Sequence, residues 1–154
     1  MRNVAMSRAV VAVLAAGLLL AALPAQADGP FQYHSLTPCR VVDTRNVSAP
    51  ILSTGVTRTF SVQGVCGVPA GAKAASINVT AVRPNGPGHL TLFPTGGSVP
   101  VVSTVNFAAN EPAIANGAIV PLSTATSNDL SVSPYVAATG GTVHLVIDVT
   151  GYFQ

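Results

Sequence analysis

The chain carries the residue types of a nucleophilic triad, but not the motif that usually presents one. Its histidines and its candidate aspartates are His34, His89, His144, Asp43, Asp129 and Asp148. A serine nucleophile of the hydrolase type commonly lies in a Gly-x-Ser-x-Gly turn, and the sequence contains no such turn. We therefore expect no catalytic residue and no enzymatic activity, with a small secreted hydrolase or inhibitor as the third hypothesis.

The chain has few acidic residues that could form a catalytic or metal-binding pair. The chain has five of them, so a chance pair of carboxylates for glycoside hydrolysis is not expected. The loops Ser127–Asp129 and Asn110–Glu111 could supply oxygen ligands to calcium. Because no Asp-x-Asp-x-Asp-Gly loop occurs, we expect no metal and no cofactor, and calcium stays an open alternative.

One short segment concentrates charge. Arg40, Asp43 and Arg45 lie within six positions, beside Cys39. The two arginines could form an anion or partner site. Alternatively, Asp43 accepts backbone hydrogen bonds in a turn while an arginine pairs with its carboxylate, and we favour this structural interpretation.

Histidine and tyrosine give weaker signals for a binding site. His144 and Asp148 share a strand face, but four residues along a strand separate them by about 13 Å, so each is expected to be a surface residue or a cross-strand partner. The chain has no Trp and three tyrosines, Tyr33, Tyr135 and Tyr152. Carbohydrate binding would therefore rest on Asn, Asp and a tyrosine. Besides the arginine segment, Tyr152 is our candidate for contact with a ligand or partner.

The first 27 residues have the pattern of a secretory signal peptide. Arg2 and Arg8 precede an apolar run of about 15 residues, which is too short to span a bilayer comfortably. Pro24-Ala25-Gln26-Ala27 then fits the small-residue rule for cleavage. We predict an exported protein, extracellular or at the cell surface, with no membrane span after cleavage before Asp28.

Removal of this leader leaves five basic and five acidic residues, so the mature chain carries no net charge. A neutral chain has no basic surface to follow a phosphate backbone, and we expect no nucleic-acid partner. Low charge also opposes self-association only weakly. Self-assembly, an extracellular protein or a glycan are therefore the partners we consider.

Cys39 and Cys66 are the only cysteines. An even number of cysteines in an oxidising compartment favours one disulfide. Two unpaired buried thiols are the alternative, and a zinc site is disfavoured because the spacing matches no common zinc motif.

The sequence pattern predicts that short β-strands position these residues. In Ala75–Val82 and Thr142–Thr150 apolar residues alternate with mainly polar ones, which is typical of half-buried strands. Arg83–Gly88 contains Asn85-Gly86 and predicts a hairpin to His89–Phe93. Weaker strands are expected at Phe31–Leu36, Arg40–Asp43, Val56–Val62, Val101–Phe107, Ala118–Leu122 and Leu130–Ser133.

About nine short strands in one domain, residues 28–154, predict an all-β fold. The spacing is typical of an antiparallel two-sheet β-sandwich with Greek-key or jelly-roll-like connections.

Four ordered segments give the chain a family resemblance: Leu36–Arg45 (LTPCRVVDTR), Gly64–Pro69 (GVCGVP), Ile77–Thr80 (INVT) and Ile147–Phe153 (IDVTGYF). Together they resemble a functionally uncharacterised family of secreted bacterial all-β domains, over about Phe31 to Phe153. The resemblance implies export, a β-rich fold and pairing of Cys39 with Cys66, and it transfers no catalytic residue. Because such domains occur attached to extracellular enzymes and surface proteins, it also implies an accessory role.

These observations predict a secreted, non-enzymatic β-sandwich that acts as a binding, adhesion or envelope-assembly module. A carbohydrate-binding module is the alternative.

Overall fold

A computed structural model describes residues 29–154, so the predicted signal peptide lies outside the described residues. These residues form nine strands and no helix. The strands are β1 (Tyr33–Asp43), β2 (Leu52–Ser53), β3 (Arg58–Phe60), β4 (Ala74–Val82), β5 (Gly88–Pro94), β6 (Val105–Phe107), β7 (Ile114–Pro121), β8 (Leu130–Val136) and β9 (Thr142–Phe153). Across residues 29–154 there is accordingly no helix that could span a membrane.

The strands form two antiparallel sheets, which confirms the predicted all-β sandwich. One sheet has five strands in the order β1-β9-β4-β7, with β2 also paired to β9. The other has four strands in the order β3-β8-β5-β6. Neighbouring strands are mostly distant in sequence, so the chain crosses repeatedly between the sheets.

Alternation of side chains along β4 and β9 builds the core, as expected for strands with one buried face. In β9 the residues Val143, Leu145, Ile147 and Val149 are fully buried. In β4 the buried positions are Ala75, Ile77, Val79 and Ala81. The two sets meet because β4 and β9 are adjacent antiparallel strands.

The hairpin predicted at Asn85-Gly86 is wrong, because β4 and β5 belong to different sheets. The Asn85 side chain instead fixes a crossing between the sheets. Its Oδ1 accepts a hydrogen bond from the Thr142 N–H at 2.7 Å, and its Nδ2 donates to the Gly140 carbonyl at 3.1 Å. Gly88 allows close approach, since a Cβ there would overlap the Tyr135 carbonyl oxygen.

Other strand boundaries also differ from the prediction. The expected strands Phe31–Leu36 and Arg40–Asp43 form one strand, β1, whose pairing with β9 shifts register twice. The predicted strand Val101–Phe107 is regular only in β6, whereas β7 begins four residues earlier than expected. Beyond the start of β1, Gln32 and Gln154 exchange backbone hydrogen bonds of 2.8 and 3.1 Å. Gln154 therefore lies beside Gln32, three residues from the start of the described part.

The predicted disulfide is present between Cys39 and Cys66, with their Cα atoms 5.9 Å apart. It ties β1 to the loop that precedes β4. Both cysteines pack against the buried core, so the bridge joins an edge of the five-stranded sheet to a segment that would otherwise be held by turns.

Replacement of both cysteines by alanine should lower the free energy of unfolding by roughly 3.5 kcal/mol, because a loop of about 28 residues is no longer closed in the unfolded chain. Urea unfolding under non-reducing conditions measures the change. The reduced wild-type protein serves as the control and should lose a similar amount. A loss below about 1 kcal/mol in both would contradict a stabilising bridge.

Candidate functional site

The predicted arginine segment lies on the solvent face of the five-stranded sheet, where β1 pairs with β9. Arg40 is directly opposite Asp148 in this pairing. The Arg40 Nε and Nη2 atoms donate to the two carboxylate oxygens of Asp148 at 2.8 and 3.1 Å. This bidentate pair makes Asp148 a cross-strand partner, as expected.

Asp43 is the centre of the segment and is only 3% exposed. Arg45 donates to it from its backbone N–H, from Nε and from Nη2, at 3.0, 2.8 and 2.7 Å. Asn46 Nδ2 adds a bond of 3.2 Å, and Arg40 Nη1 lies 3.6 Å away. The side-chain hydrogen bonds from Arg45 hold the pKa of Asp43 well below its usual range, despite its burial.

Arg40, Asp43 and Arg45 are therefore brought together, in the structural arrangement that the sequence favoured. The Asp148 carboxylate pairs with one side of the Arg40 guanidinium, and the Asp43 carboxylate pairs with one side of the Arg45 guanidinium. A role for these residues in binding an anion or partner stays a prediction.

A pocket beside this cluster includes two polar residues, Arg83 and His144, that the sequence did not single out as binding residues. It has a volume of about 390 Å³ and is lined by Arg45, Val82, Arg83, Pro112, Ala113 and His144. His144 Nδ1 lies 3.2 Å from the Thr44 hydroxyl, which makes this histidine the expected cross-strand partner. Among residues 29–154 no carboxylate lies within 4 Å of the Arg83 guanidinium, so the pocket has a positive wall.

Tyr152 does not join the arginine cluster. It is paired with His34 and Ala75 in the neighbouring strands, and its ring stacks on the His34 ring with centroids 4.9 Å apart. Tyr152 also packs against the buried core, on the opposite side of the sheet from Arg40. A register shift between β4 and β9 near Ser76 causes this change of face.

Asp129, considered as a calcium ligand, has a structural role. Its carboxylate is fully buried and accepts hydrogen bonds from the backbone N–H groups of Val62 and Gln63. Burial raises its pKa, although these N–H groups act in the opposite direction. In the described part of the chain, no three His, Cys, Asp or Glu side chains are grouped as metal ligands.

The surface that sequence reasoning missed is uncharged. We call it the open edge and define it as strand β7 together with the facing segment 99–104. Between Pro84 and Asn128 the only charged residue is Glu111. Val99, Val101, Val102 and Ile119 are all more than half exposed, and a groove of about 450 Å³ lies between β7 and the segment. Exposed apolar surface of this kind commonly marks an interaction site.

Strand β7 also differs from the other three sheet edges in the described residues. Edge strands of soluble proteins are usually short, bulged, charged or covered, because an exposed edge can pair with another strand. β3 and β6 have three residues each. β1 has two register shifts and carries Arg40. β7 has eight residues in regular register with β4 and no charged side chain.

No protein-family model, curated protein or solved structure matches this chain.

The free energy of unfolding should decrease as the pH is lowered, because Asp43 becomes protonated. A carboxylate whose pKa is lowered by folding stabilises the folded state above its unfolded pKa of about 4, and this stabilisation is lost as pH falls toward the folded value. Asp43→Asn should therefore be less stable than wild type at pH 7, with a difference that shrinks between pH 4 and pH 2. Urea unfolding at pH 7, 4 and 2.5 tests this, and a difference independent of pH would contradict it.

Proposed function

We propose that this protein is a secreted, non-enzymatic β-sandwich that acts as a binding, adhesion or envelope-assembly module outside the cytoplasm. The signal-peptide pattern of residues 1–27 supports export. The Cys39–Cys66 disulfide fits an oxidising compartment.

The open edge is the observation that carries the proposal. An exposed, regular edge strand can accept another extended strand, whose backbone hydrogen bonds supply affinity while side-chain pockets supply specificity. β7 offers such an edge over eight residues, and the adjoining groove exposes Val102 and Ile119 for apolar contact. A partner recognised here is selected by backbone geometry and shape.

The charged residues support the same conclusion. Arg40 and Arg45 are paired with Asp148 and Asp43, and the mature chain has no net charge. Long-range electrostatic attraction to a polyanion is therefore weak. This favours a protein strand or a neutral polymer as the partner.

Association through the open edge can be measured on protein expressed with its leader and purified from the secreted fraction. Light scattering over a concentration series and co-sedimentation with insoluble cell-wall material report self-association and envelope binding. We expect at least one of the two, and we expect Ile119→Lys to weaken it because a charge is placed on the edge strand.

Thr59→Lys is the matched control, since Thr59 is exposed on the three-residue edge strand β3. It should behave as wild type. A wild-type protein that stays monomeric and does not sediment with envelope material would overturn the proposed function.

Carbohydrate binding is the second candidate, and one observation favours it. Tyr135 is 53% exposed, and its ring stacks on His89 with centroids 5.3 Å apart. Both rings line a surface groove of about 330 Å³ with the hydroxyl-bearing residues Thr91 and Ser133. An exposed aromatic ring beside hydroxyl groups suits a neutral sugar, which has an apolar face and a polar rim.

A glycan array containing cell-wall and plant polysaccharides tests this candidate. Binding that is lost in Tyr135→Ala and kept in Tyr33→Ala would support a sugar site at Tyr135, because Tyr33 lies over Gly151 on another surface. If the wild-type protein binds no glycan on the array, the carbohydrate-binding candidate is excluded.

A further inference from the structure

We infer that the occupant of the open edge is a second copy of this chain, joined by antiparallel pairing of the two β7 strands about a twofold axis at Gly117. This inference rests on the proposed function and names its partner. It follows from which backbone groups of β7 point outward.

The hydrogen-bonding direction of each strand follows from one observed bond. In an antiparallel strand the N–H and C=O of one residue point to the same side, and successive residues alternate sides. Thr44 N donates to the Leu145 carbonyl at 2.9 Å, so the odd-numbered residues of β9 face β1 in this region. Its even-numbered residues from 144 to 148 then face β4, opposite even-numbered residues of β4.

The odd-numbered residues of β4 therefore face β7. Their partners in β7 are the even-numbered residues 114, 116, 118 and 120. The alternate residues Ala115, Gly117 and Ile119 direct their N–H and C=O groups away from β4. Within residues 29–154 no hydrogen bond reaches these groups, so three donors and three acceptors are exposed in a regular row.

This row is complementary to a copy of itself. When two β7 strands run antiparallel with Gly117 opposite Gly117, Ala115 of each copy lies opposite Ile119 of the other. All three outward-facing residues of each strand then form hydrogen-bonded pairs, which gives six backbone hydrogen bonds. The register also keeps faces matched, because residues of equal parity are opposed and their side chains lie on the same face.

Charge does not oppose this approach. Residues 112–128 contain no charged side chain, so two identical surfaces meet without like-charge repulsion. The groove beside β7 exposes Val102 and Ile119, and removing apolar surface of this kind from water favours association.

The same arrangement limits the assembly to two copies. A twofold interface uses the same surface on both subunits and closes on itself. The joined five-stranded sheets would end at β1 on both sides, where two register shifts and Arg40 interrupt a regular edge. We therefore expect a dimer and no growing filament.

Two variants with opposite charges at Gly117 test the position of the twofold axis. A Cβ at Gly117 would meet no atom within 4 Å, so Gly117→Lys and Gly117→Asp should both fold, as checked by circular dichroism. Like charges directly opposite each other on paired strands repel. At low salt the wild type should show twice the monomer mass, each variant alone the monomer mass, and their equimolar mixture the dimer mass again.

The register is tested by cysteine cross-linking under oxidising conditions. Ala115→Cys and Ile119→Cys place one thiol each on the open edge, and no free native cysteine is present in the described residues. Mixing the two variants should give a disulfide-linked dimer, whereas either variant alone should not, because its two thiols are about 13 Å apart along the strands.

Each outcome decides the inference. A monomeric wild type, a dimer that persists in both Gly117 variants, open-ended growth, or cross-linking of a single variant alone would overturn it. If the wild type is monomeric but still sediments with envelope material, the inference fails and the proposed function stands. If it neither dimerises nor sediments, both fail.

Discussion

The pairing of β9 with β1, β2 and β4 is the interaction on which the five-stranded sheet depends. β9 has twelve residues and bonds to neighbours on both sides. Its buried residues, including Leu145 and Ile147, complete the core. Its outer residue Asp148 neutralises Arg40 across the strand pair. Because β9 takes the central positions, β7 is left at the far edge of the sheet.

Local patterns predicted much of this fold, and non-local contacts account for the errors. Alternation with a period of two identified β4 and β9, because each has one buried face. Asn85-Gly86 misled because the partners of Asn85 are Gly140 and Thr142, more than fifty positions away. A turn dipeptide reports local backbone preference and does not report which sheet the next strand joins.

The same difference between local patterns and non-local contacts decides which parts of the candidate site could be predicted. Asp43 and Arg45 are two positions apart, so their contact could be predicted from spacing and charge alone. Tyr152, our separate candidate for ligand or partner contact, lies apart from them, because a register shift turns it toward the core side, and its role stays a prediction. The open edge could not be predicted, since an uncharged strand such as β7 is ordinary in a sheet interior and becomes exposed only through strand order.

The backbone pairing of Gln32 with Gln154 has a consequence for how the domain can be carried. Gln32 lies three residues after the first described residue, and its Cα atom is about 5.5 Å from that of Gln154, since the two exchange both backbone hydrogen bonds. A host protein could therefore carry this domain as an insertion in one of its surface loops, with the two ends of that loop staying close together. Because the attachment points lie where β1 meets β9, such a host would project from the side of the sheet away from β7.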